Sequence, residues 1–130
     1  MATIFSKIAN GEIPSYKIAE DENYYAFLDI NPLKKGHTLV IPKKEVDYIF
    51  DLDESYLGGL HIFSQKIAKA IDKTMDCKRV AVVVLGLEVP HAHIHLIPMD
   101  SESDIRFSNA KLKFSNEEFL QIAEDIKKAL

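Results

Sequence analysis

Between Pro90 and Pro98 the chain reads His91-Ala92-His93-Ile94-His95-Leu96-Ile97, three of its five histidines at strict two-residue spacing. A period of two belongs to a β-strand, in which successive side chains point to opposite faces. The pattern therefore predicts a strand with three imidazoles on one side and Ala92, Ile94 and Leu96 on the other, so that one sheet face is buried and the other carries chemistry. Same-face neighbours along a strand lie roughly 6.5 Å apart, so the outer two histidines would bracket an object about the size of a phosphate held over the middle one. That geometry suits a nucleophile with two supporting imidazoles.

Other uses of the triplet compete. A His-X-His pair on a strand can chelate zinc or iron, because neutral imidazole is a common metal ligand. The outer histidines would be roughly 13 Å apart on a straight strand, so one ion could take two of the three and would need further ligands from elsewhere. No acidic or cysteine partner follows closely. Three histidines on a merely solvated face would leave the density of the cluster unexplained. The triplet alone keeps phosphate chemistry, metal binding and a solvated face open.

The 130 residues suit a single domain able to bury a core without disulfides or metal staples. No apolar run approaches the length needed to cross a bilayer. The N-terminal stretch lacks the continuous apolar segment and small-residue cleavage site of a signal peptide, so a cytoplasmic location is expected. Cys77, the single cysteine, reads as a small packing residue. A formal charge of −4 argues against a general nucleic-acid binder. Charge is nonetheless uneven: Lys34, Lys35, Lys43 and Lys44 fall in one stretch with His37, where a small anion could be received.

Along the chain, Thr3 to Ala9 reads as a short helix closed by Asn10-Gly11. Tyr16 to Ala19 and Tyr24 to Leu28 read as a strand pair, and His37 to Ile41 as a third strand after the Lys35-Gly36 turn. A long helix is predicted from about Glu54 to Met75, with Leu57, Leu60, Ser64, Ile67 and Ile71 on one face. Gly58-Gly59 weakens its first turns, for which a close approach of another element is a reason. His61 reads as a structural or surface histidine. Arg79 to Leu85, rich in valine, is expected to be a central strand like the triplet strand. Asn116 is expected to cap a final amphipathic helix carrying Phe119, Leu120, Ile122, Ala123 and Ile126.

Three ordered blocks then carry a resemblance. Ile4-Phe5-Ser6-Lys7-Ile8 with Gly11-Glu12-Ile13-Pro14, Phe27-Leu28-Asp29-Ile30-Asn31-Pro32 with Gly36-His37-Thr38-Leu39-Val40-Ile41-Pro42-Lys43, and Val89 to Pro98 together resemble the histidine triad (HIT) family, in particular its small Hint-like branch. The resemblance spans residues 3–98, and 99–130 would be a variable segment of the same domain. It implies an α+β fold: a five-stranded antiparallel sheet with the long helix packed on it, followed by the C-terminal helix and usually assembled as a homodimer.

The resemblance also implies an activity, hydrolysis or transfer on purine nucleoside 5′-phosphoramidates or related nucleotidyl conjugates, with no metal or other cofactor. His93 would attack the α-phosphate and form a nucleotidyl-histidine intermediate that water hydrolyses. His91 and His95 would flank it on the phosphate oxygens and leaving group, and His37 would support the triad from the neighbouring strand. Asp29 would accept the ribose hydroxyls. Ile4, Phe5, Ile8, Phe27 and Ile30 would form apolar walls around the base, with Leu28, Glu88 and Val89 among the substrate-binding positions.

Three departures qualify the match. Where many bacterial relatives carry a zinc-binding cysteine pair, this chain has Thr3 and Ser6, so structural zinc is not expected. An asparagine that commonly precedes the triad is missing. Glu88 stands where a hydroxyl is common, and a carboxylate aimed at phosphate would weaken binding. An alternative reading follows from these, a catalytically weak nucleotide-binding or partner-binding module on the same fold.

Overall fold

The computed structural model describes residues 2–130. Helix α1 (Ile4–Ala9) is capped by the Thr3 hydroxyl, which accepts the Ser6 N–H. Strands β1 (Lys17–Glu20), β2 (Tyr24–Leu28) and β3 (Thr38–Pro42) follow, then a 3-10 turn (Ile49–Asp51) and the long helix α2 (Glu54–Thr74). Strands β4 (Arg79–Val83) and β5 (Ile94–Met99), a second 3-10 turn (Glu102–Ile105) and helix α3 (Asn116–Lys128) complete the chain. All strand pairs are antiparallel, in the order β1-β2-β3-β5-β4.

The register decides which side chains share a face. Phe27 pairs with Leu39 and Leu39 with His95, so odd-numbered residues of β2, β3 and β5 line up on one side. Even-numbered Tyr24, Ala26, Leu28, Val40, Ile94 and Leu96 point the other way, into the main core with Leu60, Phe63, Ile67 and Ile71 of α2 and Phe119, Ile122 and Ile126 of α3. Each of these large aliphatic and aromatic side chains contributes about 1.5–3 kcal/mol by leaving water. A smaller cluster of Phe5, Ile8, Tyr25, Phe27, Leu39 and Ile41 covers part of the odd face beneath α1.

Two glycines have definite steric reasons. A Cβ on Gly59 would lie 2.0 Å from the Tyr24 hydroxyl oxygen, which donates to the Tyr56 carbonyl at 2.9 Å, so the close approach expected of this helix is real there. Gly36 has φ +94°, and a Cβ on it would meet Met75 Cγ at 2.7 Å. It shapes the turn that delivers His37 to β3.

Two expectations are corrected. The valine-rich stretch is not a central strand: β4 pairs only with β5 and forms a sheet edge, leaving Val82 57% exposed. Its apolar composition reads as burial, but among the described residues no strand pairs with its outer edge. The final helix is capped by Ser115 rather than Asn116, in a reciprocal pair with Glu118: the Ser115 hydroxyl accepts the Glu118 N–H at 3.1 Å, and the Glu118 carboxylate accepts the Ser115 N–H at 2.9 Å. Asn116 accepts from the Tyr16 hydroxyl instead.

Candidate active site

Of the three histidines expected on one strand only His95 lies in β5, which begins at Ile94; His91, at a bend, and His93 precede it, pinned by the Ala92 N–H donating to the Val46 carbonyl at 2.7 Å. Ala92 enters the main core, and the three histidines fall on the odd face. The β3 turn adds His37, and the Asp29 N–H donates to the His37 carbonyl at 3.0 Å, which ties the end of β2 to the same place.

The hydrogen bonds fix the protonation of each ring. His93 Nδ1 lies 2.7 Å from the His91 carbonyl oxygen, which can only accept, so Nδ1 carries the proton and Nε2 keeps a lone pair. The Leu33 N–H donates to His37 Nδ1 at 3.0 Å, so His37 holds its proton on Nε2. That N–H points at His95 Nδ1, 3.0 Å away, which must accept; the proton of neutral His95 is therefore on Nε2. Adjacent rings thus offer opposite groups, a lone pair on His93 and an N–H on His95, with centroids 5.0 Å apart.

His91 is differently occupied. Its Nε2–H donates to the Pro42 carbonyl at 2.8 Å, and its Nδ1 accepts from the Thr3 hydroxyl at 2.7 Å. With both nitrogens engaged and the ring fully buried, His91 does not present a free nitrogen to a phosphate, as a flanking position would require. The Ser6 hydroxyl, 3.4 Å from the same nitrogen, donates to Glu45 Oε1 at 2.7 Å, and the Thr3 N–H donates to that oxygen at 2.7 Å. These contacts dock α1 against the histidine segment. Glu45 is a participant that no periodicity in the sequence marks.

Burial disfavours the charged form of every one of these imidazoles. It pushes His95 down to about 4, with His93 adding to the effect, and His37 down to about 3, aided by His95 and the Lys111 cation. His91 and His93 are also lowered, chiefly by burial. Burial raises the Asp29 carboxyl, opposed by the Asn31 N–H it accepts at 2.8 Å and by Lys111. Asp29 Oδ2 is 3.6 Å from His37 Nε2, too long for a hydrogen bond, and the neutral ring makes it no ion pair.

Among the expected apolar walls, Phe5, Ile8 and Phe27 do sit together beside the triad: the Phe5 ring meets His93 edge-on at 5.0 Å and Phe27 at 5.7 Å. Val89 is half-buried against this cluster, whereas Ile4, Ile30 and Glu88 are exposed. Leu28, also expected among the substrate-binding positions, turns its side chain away from the histidines. It is one residue out of phase with Phe27 and Asp29, so its side chain lies in the helix-side core at 2% exposure, with the sheet between it and the histidines. The lysine stretch is partly spent on ion pairs, Lys43 with Glu20 at 2.8 Å and Lys34 with Asp104 at 3.8 Å. His61 is exposed, as expected. A cleft of about 400 Å³ between Tyr48, Leu57, Val84 and Leu85 reaches His93 from the β4 side.

The sequence between residues 10 and 102 matches the model of the HIT domain. The chain belongs to the HIT family. An adenosine 5′-monophosphoramidase of Saccharomyces cerevisiae is 38% identical over 102 residues, covering 78% of this chain and 65% of that protein. The crystal structure of a HIT-like protein of Bartonella henselae superposes with a TM-score of 0.84 at 34% identity, covering 98% of this chain and 96% of the other. A zinc-bound histidine triad protein of Mycobacterium smegmatis superposes with a TM-score of 0.83 at 27% identity, covering 99% and 93%.

The zinc in that HIT relative invites a test of the donors here. At α1 the converging groups are two hydroxyls, an exposed carboxylate and His91 Nδ1, and the hydroxyl of Thr3 already serves His91; neutral hydroxyls are poor substitutes for thiolate or imidazole ligands. Asp29, His37 and His95 also converge, with one potential ligand atom each lying within 4.8 Å of the others. Yet His37 Nδ1 is occupied by the Leu33 N–H, so a metal on Nε2 would need an imidazolate or the loss of that bond. Neither set suits zinc in this arrangement.

Proposed function

We propose that this HIT protein hydrolyses or transfers the nucleotidyl group of purine nucleoside 5′-phosphoramidates or related conjugates, without a metal, through His93. The observation that carries the reading is the opposed protonation of His93 and His95. The His93 Nε2 lone pair attacks the α-phosphorus, and the phosphorus–nitrogen bond breaks with its electron pair going to the leaving nitrogen. That nitrogen takes its proton from His95 Nε2. Negative charge left on His95 is stabilised by the His37 N–H and by the phosphorylated, cationic His93 ring. Water then attacks phosphorus, returns a proton to His95 and releases His93 with its lone pair.

In this reading Asp29 accepts the ribose hydroxyls and Phe5, Ile8 and Phe27 flank the base. His91 acts through its carbonyl, which sets the His93 tautomer, and through its contacts with α1. The similarity to the yeast monophosphoramidase supports the substrate class. The uncovered β4 edge, with Val82 and Val84 exposed, supports pairing with a second copy of the chain. No helix among the described residues is long and apolar enough to cross a membrane, in keeping with a cytoplasmic location.

The test is a covalent one. Protein mixed with adenosine phosphoramidate and quenched in alkali should show an adenylyl adduct by intact mass, absent in His93→Ala. Undiminished turnover by His93→Ala would overturn the mechanism.

A further inference from the structure

The segment between β5 and α3 carries no periodic pattern, yet it returns to the histidines. It is fixed at one end by the Ser101/Asp104 capping pair and at the other by the Leu112 N–H, which donates to the Pro32 carbonyl at 2.8 Å just before the His37 turn. Between them, Asn109 Nδ2 donates to the Ser103 carbonyl at 2.7 Å, and the Lys111 ammonium donates to the carbonyls of Phe107 and Asn109. These bonds hold the Phe107 ring edge-on to His95, with centroids 4.8 Å apart at 72°, and 6.3 Å from His37. Phe107 belongs to neither apolar cluster, so the fold does not explain its placement.

We propose that Phe107 is a positioning residue for His95, closing the outer side of the His37–His95 pair and holding the His95 ring so that Nδ1 faces His37 and Nε2 is left for the reaction. The physical reason is the weakness of a neutral N–H···N bond in water: once solvent competes, His95 can rotate, exchange tautomers or take a proton. Phe107 supplies a rigid apolar wall with no competing donor or acceptor. The titratable and charged groups around the pair are then His93 from the segment before β5, His37 from the turn before β3 with Asp29 behind it, and Lys111, from the same segment as Phe107, whose charge acts on His37. Of these only Lys111 is a fixed cation, and it disfavours a charged His37.

The consequence for catalysis rests on the proposed function, but the placement itself does not, and the experiment separates the two. Histidine side-chain nitrogens of the wild type, Phe107→Ala and Phe107→Leu are followed by NMR across pH, alongside turnover of adenosine phosphoramidate. In Phe107→Ala the His95 titration should move up from about 4 toward the ordinary value near 6.5, and its Nδ1/Nε2 shifts should report mixed tautomers. Turnover should fall about tenfold in kcat with little change in KM. Phe107→Leu, whose apolar side chain is smaller and lacks the flat ring edge packed on His95, should move both part of the way in the same direction, and remains a test should the alanine variant fold poorly. An unmoved His95 titration and tautomer in folded Phe107→Ala, or no shift in Phe107→Leu where only that variant folds, overturns the proposal. If His95 moves while the wild type turns over no phosphoramidate, the positioning stands and the proposed activity falls.

Discussion

The backbone carbonyl oxygen of His91 lies 2.7 Å from His93 Nδ1 and holds its proton, so the residue two positions earlier dictates which nitrogen of His93 is free. Because the acceptor is main chain, no substitution of His91 deletes it directly. His91→Ala should act instead by removing the donor to the buried Pro42 carbonyl, at about 1–3 kcal/mol if it is left unsatisfied, while the half-buried Thr3 hydroxyl keeps its bonds to Ser6. Urea unfolding should register that loss, while adduct formation in a single turnover should be slowed but retained. Loss of the adduct as complete as in His93→Ala would give His91 a direct role in bond making.

His37 offers a sharper test of the proton relay. His37→Leu removes the donor to His95 Nδ1 and leaves the Leu33 N–H without its acceptor. We expect kcat to fall about 10- to 100-fold, with KM much less affected, since the relay acts on the departing group rather than on ground-state binding. Steady-state kinetics on adenosine phosphoramidate decide it; an effect confined to KM would remove His37 from the relay.

Acid should destabilise this fold more steeply than its net charge suggests. His37 and His95 remain neutral in the folded chain down to about 3 and about 4, but when unfolded they ionise near 6.5. Above that value neither state binds the proton and their contribution is constant. Below it the unfolded chain gains protons that the folded one refuses, so stability falls by about 1.4 kcal/mol per pH unit for each ring until its folded pKa is reached. Asp29 works the other way, because its raised carboxyl binds a proton first in the folded state as pH falls. Urea midpoints between neutral pH and about pH 5 should drop, and less so in His37→Leu. A flat wild-type profile would contradict neutral burial of the pair.

Much of this was legible in the residues, and the failures have physical causes. The two-residue period placed the histidines on one face, and the parity of the antiparallel register carried Phe27, Asp29 and His37 onto it as well. The same parity excludes the Leu28 side chain, which a motif taken as a block of neighbours does not distinguish. The valine run of β4 reads as a central strand although it lies at the edge, because composition reports apolar surface and not what covers it. Phe107 and Glu45 were invisible, being brought in by turns whose bonds are mostly to backbone and to scattered polar groups, with no spacing to reveal them.

The exposed β4 edge leads to an assembly prediction. If the strand pairs with its counterpart in a second copy, Val82→Lys places a charge on the apolar strip and should shift the protein toward monomer in sedimentation velocity. The effect on folding should be small, because Val82 is 57% exposed in the single chain. A wild type that sediments as a monomer at every concentration would rule out the pairing.

The last prediction contrasts neighbours on opposite faces. Leu28→Ala should lower stability by about 2–5 kcal/mol, the cost of a cavity in the core, and leave KM nearly unchanged. Asp29→Ala should do the reverse, if its carboxylate receives the ribose: it loses one or two charge-assisted hydrogen bonds of about 1.5–3 kcal/mol each. A substrate without the 2′-hydroxyl is already penalised in the wild type, and the two losses should not add, since both delete the same contact. The Asp29→Ala variant should therefore discriminate less between ribose and deoxyribose substrates in kcat/KM than the wild type does. Equal weakening of both substrates would make Asp29 a residue that shapes the turn through its bond to the Asn31 N–H, and would move the ribose elsewhere.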